Sequence, residues 1–316
     1  MTIAIAIAIA IALRPFGTTG LLPTFITDDR THMRAAGKAA AAAVATPGSG
    51  VLGVHFEGPF ISPKRKGCHD GSAIRHPDAA DLDALTDLCA RLAGDGGRLL
   101  LTLAPEEVAD SAIARLAAAG VVVAVGHTAA NYERIGEALA HSVRGFTHLG
   151  NAMPPIVNRD PGAVIAGLDA AEAWCGVIAD GIHIHPGLLR VMHAAKRPGK
   201  LLLVTDAMPP VGTDAKSFQL YGATIHRRDG RLVTDAGVLA GADIDMIGSV
   251  RNCLRFLGVS LEEALRMASL NAAAYLRLDD RLGRLAPGFD ADLVLLDPDL
   301  AVLATWIAGE ALWNRA

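Results

Sequence analysis

Five ionisable side chains stand just beyond five short apolar runs. Glu57 follows "GVHF", His127 follows "VVVAVG", His148 follows "RGFT", His183 follows "CGVIADGI" and Asp206 follows "KLLLVT". Taken singly, each histidine reads as a loop or cap residue, and Asp206 as a turn residue before prolines. Recurring at the same point of five strands, they describe one rim. Glu57, His127 and His148 form a workable ligand set for one zinc-like divalent ion with a position left open for water. Water in such a position ionises at a pKa of about 7 instead of about 15.7. Asp206 alongside could take a proton from that water and return it to a leaving group. The chemistry implied is metal-assisted hydrolysis. His183 and His185 also have metal-ligand spacing but rank second, because His185 precedes Pro186 at an expected helix start. His55 is read as a structural residue facing the interior, and Lys64, Arg65 and Lys66 as a solvated loop.

The elements that must position these residues alternate regularly. "GTTGLLPTFIT" reads as a strand entering a loop, followed by an alanine-rich helix over 28–45. Strand 50–55, helix 78–93, strand 98–103, helix 106–119 and strand 121–126 come next, and three further strands lead to Thr147, Ala179 and Thr205. This alternation implies parallel strands with helical crossovers. Runs such as "VVVAV" fit strands covered on both faces. Beyond Asp206 the rhythm changes: "KSFQLYGATIHRRDGRLVTDAG" carries an Asp-Gly hairpin signal. Two helices over 243–257 and 261–275 follow, and then short antiparallel strands to the end. The architecture expected is a (β/α)8 barrel with a small β module, a doubly wound sheet being the alternative. A barrel would carry its chemistry at the C-terminal ends of its strands.

The chain has 316 residues, a formal net charge of -4 and no basic tract, which argues against nucleic acid as a partner. Its four cysteines are dispersed without a CxxC pair, as in a reduced, cytoplasmic protein. The opening "MTIAIAIAIAIAL" alternates like a strand buried on both faces. It is too short for a membrane span and lacks the basic start of a secretory signal.

The ordered motifs "GVHFEGPFISPKRKGCHDG", "VAVGHTAANYE", "FTHLGNAMPPIVNRDPG", "IADGIHIHPGLL" and "LLVTDAMPPVGTD" resemble those of the N-acetylglucosamine-6-phosphate deacetylases of the amidohydrolase superfamily. "GTTGLLPTFITDD" and "GRLAPGFDADLVLLD" extend the resemblance over residues 14–316. It implies a distorted barrel with a β-sandwich, acting as a homodimer on an amino sugar phosphate. By motif, Glu57, His127 and His148 hold one divalent ion per subunit, zinc first and iron second, and Asp206 is the acid/base. His69 binds substrate and polarises its acetyl carbonyl. Asn151, Ala152 and His183 line the sugar-phosphate pocket, completed by Arg159 from the partner subunit.

Three departures stand out. The family begins with a further segment that supplies its first barrel strand and part of the sandwich. Here the Ile/Ala repeat stands in that place without an HxH pair, so a binuclear site is not expected. Gly150 replaces a usual aromatic, and "LAGAD" lacks a usual hydroxyl. The expected division is therefore an atypical segment over 1–13, a hydrolase barrel over 14–280 lacking or replacing its first strand, and a sandwich remnant over 281–316. Two other readings accompany this one: an amidohydrolase acting on another N-acyl or cyclic amide, and an inactive truncated relative.

Overall fold

The computed structural model describes residues 1–315. Helix α1 (Ile3–Leu13) comes first, then β1 (Thr24–Ile26), α2 (Arg30–Val44), β2 (Gly53–Glu57), α3 (Ala79–Gly94), β3 (Arg98–Leu103) and α4 (Asp110–Ala118). The alternation continues through β4 (Val122–Val125), α5 (Tyr132–Ala140), β5 (Gly145–Phe146), α6 (Gly162–Asp169), β6 (Trp174–Val177), α7 (Pro186–Ala195) and β7 (Leu201–Leu203). Strands β1 to β7 pair in sequence order, all in parallel. Because both faces are covered, β2 and β4 are buried at every position. Their side chains join one core with the inner faces of the helices, built on residues such as Phe56, Leu101, Val123 and Phe146.

A closed barrel needs eight strands. Here β1 and β7 are not bonded to one another among the described residues, and the sheet stays open between them. A cavity of about 490 Å³ occupies that gap, lined by Leu21, Thr24 and His55 on one side and by Leu203 and Asp206 on the other. The Ile/Ala repeat does not fill it, contrary to the strand its alternation suggests. The repeat forms α1, capped by Thr2, whose hydroxyl accepts from Ile5 N. Alanine is the best helix former, and an alternating pattern places Ala6 and Ala10 four residues apart on one face. That smooth face packs on Ala43 and Val51, while Ile3, Ile5, Ile9 and Ile11 stay 38–50% exposed. A period of two favours a strand only where a sheet edge pairs with it; here the helix satisfies the segment's own backbone.

Beyond β7, strands β8 (Ser217–Leu220), β9 (Ala223–Arg228), β10 (Arg231–Thr234) and β11 (Leu239–Ala242) form an antiparallel sheet. The Asp229-Gly230 turn between β9 and β10 has φ of 51° and 72°, as a two-residue hairpin requires. Helices α8 (Met246–Leu257), α9 (Leu261–Ala268) and α10 (Leu270–Tyr275) follow, so the segment read as one helix over 261–275 is broken at Ser269. A three-stranded antiparallel sheet of β12 (Leu293–Leu296), β13 (Val302–Ile307) and β14 (Glu310–Asn314) ends the chain. No helix among the described residues is long and apolar enough to cross a membrane.

One glycine is a condition of the fold next to the site. Gly58 has a φ of 83°, and a Cβ there would come within 2.2 Å of Thr27 Oγ1. Gly58→Ala is expected to destabilise the protein by roughly 3 kcal/mol or more, from backbone strain and overpacking together. Denaturant unfolding checks this; an unchanged midpoint would contradict it.

Candidate active site

Glu57 closes β2, and its carboxylate is the hub on which three imidazoles converge. His148 Nε2 lies 2.9 Å from Glu57 Oε1, His127 Nε2 3.4 Å from the same oxygen, and His69 Nε2 3.7 Å from Oε2. His127 Nε2 and His148 Nε2 are 3.2 Å apart. All four residues are buried, each 3–5% exposed. His127 and His148 stand two residues past β4 and β5, in left-handed backbone with φ of 47° and 27°, and Asp206, three past β7, has 49°. Such conformations cost about 1–3 kcal/mol each and persist only where surrounding contacts fix them. Ser62 N donates to His127 O at 2.9 Å and Ala242 N to Asp206 O at 2.8 Å, so the loop after β2 and strand β11 act as those clamps.

The electrostatics favour positive charge. Burial works to raise the Glu57 pKa, but the imidazoles of His127, His148 and His69 that face it outweigh burial and hold the carboxyl well below the ordinary range. For His148, burial opposes protonation and the carboxylates of Glu57 and Asp206 override it, pushing the imidazole up to about 9. Burial lowers His127. Asp206 is raised to about 6, first by burial and then by the Glu57 charge.

These donors fit a divalent ion. Around a tetrahedral ion with bonds of about 2.0–2.2 Å, neighbouring donor atoms lie about 3.3–3.6 Å apart; here His127 Nε2 is 3.4 Å from Glu57 Oε1 and 3.2 Å from His148 Nε2, and the 2.9 Å between Glu57 Oε1 and His148 Nε2 has to open slightly to admit the ion. His127 is oriented for the role. Its Nδ1 contacts the Arg65 carbonyl at 2.8 Å, an acceptor only, so Nδ1 carries the proton and Nε2 the free lone pair. His148 Nδ1 is buried with no partner. Its ring is fixed by Glu57 and by an edge-on contact with His127 at 5.0 Å between centroids.

His183 lies in the loop after β6. Its Nδ1 is 2.6 Å from Asp180 Oδ2, and Asp180 Oδ1 accepts from Ile182 N and His183 N at 2.8 Å each. Burial would raise the Asp180 pKa, yet these bonds hold it below the usual range. Asn151 and Ala152 form the turn beyond His148, with Asn151 N donating to His148 O at 2.9 Å and Ala152 at a φ of 50°. Arg159 is exposed on an arm that also presents Ile156 and Val157, 44% and 53% exposed.

The residues ranked low have structural duties. His185 caps α7, accepting from Gly187 N at Nδ1. His55 sits between the hydroxyls of Thr24 and Thr102 at 3.1 and 2.8 Å, and burial lowers its pKa to about 4. Three supports are not among the residues singled out from the sequence: Thr27 on His69, Asp180 on His183 and the Arg65 carbonyl on His127. Only Asp180, three residues before His183 in "DGIH", left a signal that spacing could have caught.

The chain matches the amidohydrolase family over residues 10–312. It is 40% identical over 303 residues to an N-acetylgalactosamine-6-phosphate deacetylase of Shewanella sp. (strain ANA-3), covering 96% of this chain and 75% of that protein. It is 38% identical over 309 residues to an N-acetylglucosamine-6-phosphate deacetylase of Bos taurus, covering 94% and 74%. Among solved structures, the N-acetylglucosamine-6-phosphate deacetylase of Pasteurella multocida superposes with a TM-score of 0.92 at 34% identity, over 98% of this chain and 80% of that one. A variant of the Mycobacterium smegmatis enzyme in complex with N-acetyl-D-glucosamine-6-phosphate gives 0.89 at 33% identity, over 98% and 82%. With its strand order and its Glu-His-His cluster, this chain belongs to the amidohydrolase family, on the branch of the N-acetylhexosamine-6-phosphate deacetylases.

Proposed function

We propose that the chain hydrolyses the acetamide of N-acetylglucosamine-6-phosphate to glucosamine-6-phosphate and acetate. The observation that carries this reading is the convergence of Glu57, His127 and His148 within 2.9–3.4 Å at the strand ends where Asp206 also stands. The relatives' names favour a phosphorylated N-acetylhexosamine, of the gluco or galacto series.

Glu57, His127 and His148 would hold one divalent ion, zinc before iron by donor type. The chemistry such an ion supplies is a water acidified toward neutral pH and charge withdrawal from the acetyl carbonyl. Asp206 accepts a proton from the attacking water, its raised pKa matching a base that works near neutrality. His69 directs Nε2 toward the carbonyl oxygen, where negative charge develops. Collapse of the tetrahedral adduct breaks the C–N bond, and Asp206 returns its proton to the departing amine. Asn151, Ala152 and His183 receive the sugar phosphate, with Asp180 keeping the His183 ring in place. Arg159 offers a guanidinium fork suited to a phosphate dianion. Its exposed arm, with two apolar side chains at the tip, suits a reach into a second copy, as a homodimer would need. Reduced thiols fit a cytoplasmic setting.

The test compares free amine released from N-acetylglucosamine-6-phosphate with that from unphosphorylated N-acetylglucosamine. A preference of about 100-fold or more in kcat/KM is expected, from the charge-assisted bonds that only the phosphate makes. Equal turnover of the two would favour the reading as an amidohydrolase of other N-acyl compounds. No turnover of either would overturn the proposal.

A further inference from the structure

Distance alone leaves the role of His69 open. Donor atoms of Glu57, His69 and His127 all lie within 4.8 Å of one another, so His69 is close enough to be a further ligand. We infer that Thr27 is a positioning residue that fixes the tautomer of His69, making it a hydrogen-bond donor to the substrate carbonyl rather than a metal ligand; this rests on the deacetylase reading.

The two imidazoles differ in what meets their Nδ1. His127 Nδ1 faces a carbonyl, which can only accept. His69 Nδ1 faces the Thr27 hydroxyl at 2.8 Å, which can donate. That hydroxyl also approaches the Glu57 carbonyl oxygen, but at 3.4 Å, beyond the range of about 2.5–3.0 Å for a good O–H···O bond. The opposite arrangement, with the hydroxyl accepting from His69 Nδ1 and donating to that carbonyl, is disfavoured by the 3.4 Å length; the shorter contact assigns the hydroxyl proton to His69 Nδ1 and the ring's own proton to Nε2. Nε2–H then faces the reaction centre, 3.7 Å from Glu57 Oε2. His127 thus offers a lone pair at Nε2, and His69 offers a proton there. A neutral donor stabilises a developing oxyanion without adding a second positive charge beside the ion.

The chain builds this contact from three places. The register that pairs Ile26 with Glu57 sets Thr27 beside Gly58. Thr27 is 0% exposed, which shields its hydroxyl from competing water. Gly58 supplies the room, since any side chain there would meet Oγ1. A valine at position 27 would keep the shape and lose the donor, whereas a serine would keep the donor.

The experiment combines a mutant cycle with a spectrum. Thr27→Val is expected to lower kcat about 10- to 100-fold, as loss of a group that orients an active-site imidazole does, with KM within about threefold and metal content unchanged. Thr27→Ser is expected to stay within about threefold of the parent. In a His69→Gln background, Thr27→Val is expected to cost less than about twofold, because the two residues act as one unit. In zinc-loaded wild-type protein, nitrogen-15 imidazole spectra are expected to show His69 protonated at Nε2 and bare at Nδ1. An equal penalty for Thr27→Val in both backgrounds, or a His69 proton on Nδ1, overturns the inference. A wild-type protein with no deacetylase turnover would sink the functional reading instead, and the spectrum would still decide the role of Thr27.

Discussion

Replacing Asp206 by Asn is expected to lower kcat by about 10²- to 10⁴-fold, the range for losing a positioned acid/base, while the protein keeps its metal and its fold. Asn preserves the volume of the side chain and removes only the capacity to take and return a proton. The backbone of residue 206 is held independently of the side chain, through Ala242 N on Asp206 O and Met208 N on Ala242 O at 2.8 and 3.2 Å. The loss should therefore appear in the chemical step, with KM little changed. Single-turnover kinetics beside metal analysis checks this; a variant within about tenfold of the parent would mean that another group moves the proton.

The second large effect is on metal binding. Changes to groups that merely orient a ligand cost about 10- to 100-fold in metal affinity. Glu57→Gln removes the one carboxylate that His127, His148 and His69 all address, and it is expected to weaken binding by more than about 100-fold. The amide keeps the size of the side chain but presents a neutral group where the ion needs negative charge. Calorimetric titration of the metal-free protein with zinc measures the change. A variant that still binds one ion tightly would remove Glu57 from the ligand set.

The backbone pattern of the barrel was legible in the sequence because buried parallel strands read as continuous apolar runs. Strand β3 falls on the expected residues, and helices α2 and α3 lie within two residues of their expected bounds. The convergence of Glu57, His127, His148 and Asp206 was legible for a related reason: parallel strands deliver equivalent positions to one rim, so residues far apart in the chain share an address. The Ile/Ala repeat misled because alternation measures which residues share a face of a strand, and says nothing of whether a sheet edge is there to pair with it. Alanine at every second position also makes a close helix–helix face, and that use prevailed. Thr27 was illegible for a different reason. Its importance lies in a 2.8 Å contact to a residue 42 positions away, and a hydroxyl at a strand end has many bland uses. The Arg65 carbonyl carries no side-chain signal of its own.

The proposed hydrolysis depends on the Glu57, His127 and His148 centre. The most direct measurement is acetate release from N-acetylglucosamine-6-phosphate by protein stripped with a chelator and then titrated with a divalent ion. Turnover is expected to vanish on stripping and to return in full with one ion per chain. Undiminished turnover by the stripped protein would contradict that dependence.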